Sequence, residues 1–227
     1  MIYDWILNNR QIFILLSSII TVFICIVIVL KTNRLFRLSM HQGIRYFRNA
    51  FFFYGLAFIM RYILSIAHLI TTKIEIYNYF QIIFEFFFIM ASFSLLYSLI
   101  WKKIEKGRES SKSSLFNLGM LLFYLMAIVI VILDHIFRTF TFMFILVIFV
   151  FFFASIISYR NYRRNEKRRF LKLFFFVMFL NLITWTINFV AASFFNWNQA
   201  SIIGTYLLNM IIFLLFLYAV IKITRRG

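Results

Sequence analysis

The chain has no proline, one cysteine, six glycines, three histidines and only seven acidic residues among 227. Each scarcity closes a class of reading. Proline and glycine are the usual sources of kinks and breaks in membrane helices. Only Gly55, Gly119 and Gly204 fall inside apolar stretches here. The broken-helix ion sites of many secondary transporters therefore have little to be built from. The single cysteine, Cys25, excludes an intramolecular disulfide and a thiolate cluster; set in mid-run, it reads as a small buried apolar residue. Asp134 and His135 are the one acid–histidine neighbour pair, and two adjacent residues make a poor metal site. His41 is a loop histidine. No metal site and no cofactor are expected. HExxH, GxSxG and paired acidic motifs are missing from the apolar stretches, so the chain does not read as an enzyme. Retinal attachment needs a lysine deep in the last helix, whereas Lys222 stands at its end.

What is present is apolar. Hydrophobic residues make up 64% of the chain, with Phe alone occurring 34 times. A helix needs about twenty apolar residues to cross a bilayer. Candidate spans lie at 11–30, 51–71, 79–100, 115–133, 139–158, 173–194 and 201–221. The fold class is therefore all-α: a polytopic membrane protein, a seven-transmembrane-helix bundle forming one transmembrane domain over residues 1–227. The first apolar run is too long for a signal peptide and lacks a small-residue cleavage site, which makes it a retained helix. The Phe runs at 51–53, 86–88, 151–153 and 174–176 suit lipid contact and helix packing.

The net charge of +17 is placed unevenly. Lys31, Arg34, Arg37, Arg45 and Arg48 fall between spans 1 and 2; Lys102, Lys103, Lys106, Arg108 and Lys112 between spans 3 and 4. Seven more lie at 160–172, and Lys222, Arg225 and Arg226 close the chain. Twenty of the 24 basic residues thus share one side; Arg10, Lys73 and Arg138 occupy the other, and Arg61 is inside span 2. Lys and Arg concentrate in cytoplasmic loops. The expected topology has the N-terminus outside and the C-terminus cytoplasmic, in the cell membrane. The expected partners of the basic loops are anionic inner-leaflet lipids, not nucleic acid. Residues 31–48 read as the longest cytoplasmic loop, with room for a short interfacial helix; residues 102–114 read as a flexible linker.

Ionisable and amide side chains are costly in hydrocarbon and face the bundle interior. Helical spacing groups them. In span 2, Tyr54, Arg61, Ser65, His68 and Thr72 share a face; in span 3, Asn78, Gln81, Glu85 and Ser92. In span 6, Asn181, Trp185, Asn188 and Ala192 align, and in span 7, Ser201, Thr205 and Asn209, with Tyr206 beside them. Spans 1, 4 and 5 are nearly free of such residues in their middles. The polar faces of spans 2, 3, 6 and 7 are expected to meet, with 1, 4 and 5 facing lipid. The candidate pocket is Arg61, Ser65, His68, Gln81, Glu85, Trp185, Asn188, Thr205, Tyr206 and Asn209. Within it, Arg61 and Glu85 are expected to pair across neighbouring antiparallel helices.

A faint repeat is also legible. Residues 47–65 lie on 170–188 without gaps, bringing Tyr62 onto Trp185; spans 3 and 7 align with Tyr97 on Tyr218 and Glu85 on Tyr206. Two units, 11–101 and 139–222, joined by span 4 give a 3+1+3 layout. In layout the chain is similar to the seven-helix membrane regions of some prokaryotic sensor kinases, implying a sensor or receptor-like module that signals through a separate protein partner. A second layout resemblance, to SWEET and PQ-loop carriers, implies a small-solute transporter; those families carry characteristic prolines, and this chain has none. A third reading is a structural subunit of a membrane complex.

Overall fold

The computed structural model describes residues 10–70, 74–104, 118–164, 169–194 and 199–224. Among the described residues all regular structure is helical. The elements are α1 (Arg10–Ser39), α2 (Gln42–Ile70), α3 (Ile74–Ile104), α4 (Leu118–Phe137), α5 (Thr141–Arg164), α6 (Arg169–Phe194) and α7 (Gln199–Thr224). All seven are long and apolar enough to cross a membrane. The physical reason is common to them. Lipid offers no partner for N–H or C=O groups, so each apolar segment must satisfy its backbone internally, and a helix does so.

The helices outrun the predicted spans. Residues 31–48 are not a loop: α1 runs on to Ser39 and α2 starts at Gln42. At 30 residues, α1 is roughly 45 Å long, against a hydrocarbon core of about 30 Å. The helix is thus longer than that core, and its basic last third is continuous with the apolar part. The reversal is made by Met40, whose φ is 51°. Its N–H donates to Phe36 O at 2.8 Å, closing α1 with a left-handed cap. The Ile44 N–H then donates to His41 O at 3.0 Å. The end of α3 closes onto this turn. A Cβ on Gly43 would lie 2.7 Å from Trp101 Nε1, so only glycine allows the approach, and His41 meets the Trp101 ring edge-on at 5.1 Å. Arg48 ties α2 to α1, donating through Nη1 to Asn33 Oδ1 at 2.7 Å. Most of the expected linker, residues 105–114, and the first residues of the expected fourth span, 115–117, lie outside the described residues.

The α4–α5 reversal is tighter. Arg138 is left-handed, with φ 51°. The Thr139 N–H donates to Asp134 O at 3.0 Å and the Arg138 N–H to His135 O at 3.3 Å, which is a Schellman closure. The Asp134 carboxylate then reaches across the turn. Oδ1 accepts the Phe142 N–H at 3.0 Å, and Oδ2 accepts the Met143 N–H at 2.8 Å. It caps the first turn of the following helix, satisfying donors that have no partner within α5. Asp134 is a helix-joining group, and its neighbour His135 is exposed.

Six helices form a ring in the order α1, α2, α3, α5, α6, α7, with α7 returning to α1; α4 sits outside against α3 and α5. The expected division into buried and lipid-facing helices is only partly met. Helix α4 is the most exposed, but α5 is as buried as α7, and α6 no more than α1. The reason is α5's central place: it packs on α6, α3 and α4 at once, burying Met143, Val147, Val150, Phe151 and Ala154. The ring is filled with aromatic side chains. Phe51 lies 5.1 Å from Phe216 and 6.0 Å from Phe213, and Phe47 lies 6.0 Å from Phe174. Cys25 is buried in the same core. Positions that the expected repeat aligns differ in environment: Tyr97 is buried while Tyr218 is 51% exposed.

Candidate functional site

The predicted polar residues sit in the half of the bundle away from the basic turns. Counting back from the helix ends at that side, Arg61, Glu85, Trp185, Asn188, Thr205 and Tyr206 lie roughly 9–17 Å in, at about 1.5 Å per residue. Glu85, Trp185, Asn188, Thr205 and Tyr206 are buried. Arg61, Ser65, Gln81 and Asn209 are half-buried. His68 belongs to α2, but its side chain lies outside the described residues.

The structure does not make the expected Arg61–Glu85 pair. The Arg61 guanidinium carbon lies 4.5 Å from the Tyr206 ring centroid and 5.4 Å from that of Phe84. The cation rests on two π faces, an arrangement worth about 0.5–2 kcal/mol depending on desolvation. Arg61 thus lies between α3 and α7, over the residue that precedes the carboxylate rather than on the carboxylate itself. Ser65 contributes only a helix-internal bond, donating to Arg61 O at 3.0 Å. Glu85 instead accepts from Gln81 Nε2 one turn earlier, at 3.3 Å. Among the described residues no cation pairs with it.

Helices α3 and α6 meet through Phe88 and Trp185, whose centroids are 4.5 Å apart. Phe144 of α5 backs the indole at 5.9 Å. The two helices run antiparallel. Three residues from that contact toward the same end stand Glu85 on α3 and Asn188 on α6. They share a level, one turn above the aromatic floor. Asn188 is buried, and its Oδ1 has no hydrogen-bond partner. One turn below Phe88, Tyr54 and Ser92 share a hydrogen bond at 3.4 Å, and Ser92 Oγ donates on to Phe88 O at 3.1 Å. Periodicity had placed these residues on the right faces; the roles of Phe84, Phe88 and Phe144 were hidden among many equivalent phenylalanines.

No protein-family model, curated protein or solved structure matches the chain. Function must therefore be read from this site. Among the described residues no group of three His, Cys, Asp or Glu side chains is placed to hold a metal. The arrangement offers two acceptors, a carboxylate and an amide oxygen, over an aromatic floor. A buried acceptor left unfilled typically costs about 1–3 kcal/mol. Sites that carry such a cost without a structural return are candidates for ligand contact.

Proposed function

We propose that this is a seven-helix receptor-like module of the cell membrane, with its N-terminus outside, that binds a small ligand and passes the change to a separate protein partner. The role is binding rather than catalysis. The observation that carries the reading is the burial of Glu85 and Asn188 at one level in the half away from the basic turns, while the unpartnered hydroxyls of Ser94, Ser155 and Ser158 lie in the basic half. Glu85 and Asn188 sit toward one end, each with acceptor capacity unused. Toward the basic end, Phe47, Phe174, Phe216, Phe51 and Phe213 fill the space between α2, α6 and α7. On this reading the site opens to one side only, as suits a receptor; a carrier must open to both.

The basic end supports the same orientation. The acids in the described residues, Glu75, Glu85 and Asp134, all lie in the other half. Arg34, Arg37, Arg160, Arg163, Arg164 and Lys172 are exposed at the basic end, where each contributes about 1 kcal/mol of attraction to an anionic leaflet. The second reading, a solute carrier of 3+1+3 layout, draws on the ring order of the helices.

Cysteine accessibility tests the choice. In a Cys25→Ala background, Asn188→Cys should react with a small membrane-impermeant thiol reagent from the outer face only. Asn181→Cys, two turns nearer the basic end, should react from neither face. Reaction of Asn188→Cys from both faces of sealed vesicles would favour the carrier.

A further inference from the structure

We infer that Arg61 and Asn209 form a recognition site for an oxyanion, the carboxylate or phosphate group of a ligand. This deepens the receptor reading, on which it rests, by naming a charged group that the ligand carries. Arg61 shares the interior stripe of α2 with Tyr54, Phe58 and Ser65. Its guanidinium rests on the rings of Tyr206 and Phe84, at 4.5 and 5.4 Å. The rings meet its charge but offer no lone pair to its five N–H donors. Among the described residues none of those donors finds an acceptor, and no carboxylate pairs with the cation. A half-buried charge left in that condition inside an apolar bundle is costly. An oxyanion supplies both missing parts: a counter-charge, and two acceptors spaced for the guanidinium fork.

Asn209 adds a further donor, and its place is fixed by the contacts on either side of it. Three residues before it, Tyr206 meets Arg61. Four residues after it, Phe213 meets Phe58 and Tyr54, each at 5.3 Å. Asn209 therefore faces α2 at a level between Phe58 and Arg61. Tyr206, Phe58 and Phe213 are buried, whereas Arg61 and Asn209 are only half-buried. Both keep accessible surface at a level where their neighbours are closed. The Asn209 side chain makes no hydrogen bond among the described residues, so its amide NH2 is free to donate to the same anion. Glu85 does not fill the role. It follows Phe84 by one residue, about 100° further round α3, is 3% exposed, and accepts from Gln81 Nε2. Chloride fits less well than an oxyanion, because a single atom cannot engage the fork at two points. Soluble oxyanions and the phosphate of a lipid headgroup share this chemistry, so the two sources need separate arms in the test.

The probes are acetate and inorganic phosphate, added to the full-length protein in a maltoside detergent at constant ionic strength, with chloride as the comparison. Binding is read as a saturable rise in melting temperature, since a ligand held only by the folded state stabilises it. At least one probe should give that rise, with an affinity about tenfold or more above that of chloride, the second charge-assisted hydrogen bond being worth roughly that factor. Arg61→Gln should weaken the affinity by at least about tenfold. Arg61→Lys, which keeps the charge and loses the fork, should fall between Arg61→Gln and wild type, and Asn209→Ala should weaken the affinity by about fivefold or more. The melting temperature of each variant without anion reports folding. Repeating the titration in phosphatidylcholine nanodiscs separates the sources: a response retained there identifies a soluble anion, and one lost there a headgroup phosphate already in place. No saturable rise with either probe, equal affinity for chloride, or unchanged affinity in folded Arg61→Gln would overturn the inference. Where that variant does not fold, unchanged affinity in Arg61→Lys and Asn209→Ala would do the same. Each of these results leaves the receptor reading to the Asn188→Cys labelling. Uptake of the bound anion into proteoliposomes would keep the oxyanion site and overturn the receptor reading.

Discussion

Replacing Asp134 with alanine should be among the most damaging single changes that remove no core volume. The carboxylate accepts the Phe142 and Met143 amides at 3.0 and 2.8 Å and the Thr139 hydroxyl at 3.3 Å. It does so at 2% exposure. Truncation leaves two amides orphaned. At about 1–3 kcal/mol per unsatisfied group, the ceiling is roughly 6 kcal/mol. Measured losses of an N-terminal cap run nearer 1–2 kcal/mol, because the freed amides relax toward water. The turn lies at the end of the bundle, where such relaxation is available, so a loss of about 2–4 kcal/mol is expected. Asp134→Asn keeps one acceptor, sets an NH2 donor against the other amide and loses the charge–dipole attraction at the α5 start, and should cost about 1–3 kcal/mol. Reversible unfolding in mixed micelles, or steric trapping in bicelles, measures both. The reasoning fails if Asp134→Ala falls within about 0.5 kcal/mol of wild type, the range of an uninvolved surface site.

Other substitutions probe other joints. Arg138→Gly should stabilise by up to roughly 1 kcal/mol, since φ 51° costs an L side chain more than glycine; unfolding measurements check it. Gly43→Ala should destabilise by about 1–3 kcal/mol, because its Cβ would press to 2.7 Å from Trp101 Nε1, and Trp101→Phe should relieve part of that loss in a double-mutant cycle. Tyr54→Phe should cost about 1 kcal/mol or less, since Ser92 keeps its bond to Phe88 O. Native mass spectrometry from mixed lipid should show anionic lipid retained over neutral lipid; Arg160, Arg163 and Arg164 changed together to Gln should reduce that preference, and equal retention before mutation would contradict the assignment of the basic end.

The seven spans were legible because hydropathy alone specifies them: no apolar run of that length has another stable fate in lipid. Their ends were not. Basic residues at 31–39 interrupt the apolar run without interrupting the helix, since Lys and Arg are good helix formers. The reversals that follow are built on Met40 and Arg138 in left-handed conformation, where sequence reading looks for glycine or asparagine. The Asp134 cap spans eight residues to Phe142, beyond any local capping pattern.

Face assignments in the polar helices survived better than partner assignments. Periodicity put Arg61 and Glu85 on interior faces at comparable depth, and both are there. Helical spacing carries no information on how a face is turned relative to its neighbours. Arg61 consequently met Tyr206 and Phe84 instead of the acid. The level shared by Glu85 and Asn188 became visible only through the Phe88–Trp185 contact that fixes the register of α3 against α6.

The orientation of the bundle decides whether the Glu85–Asn188 level faces the surroundings or the cell interior. Arg138 and Lys172 are exposed on opposite ends. In a Cys25→Ala background, cysteines at these two positions can be labelled in intact cells with a membrane-impermeant maleimide. Labelling of Arg138→Cys in intact cells, with Lys172→Cys reacting only after permeabilisation, is the expected result. Labelling of Lys172→Cys with Arg138→Cys protected would invert the bundle, turn the polar level inward and contradict the outward-facing receptor.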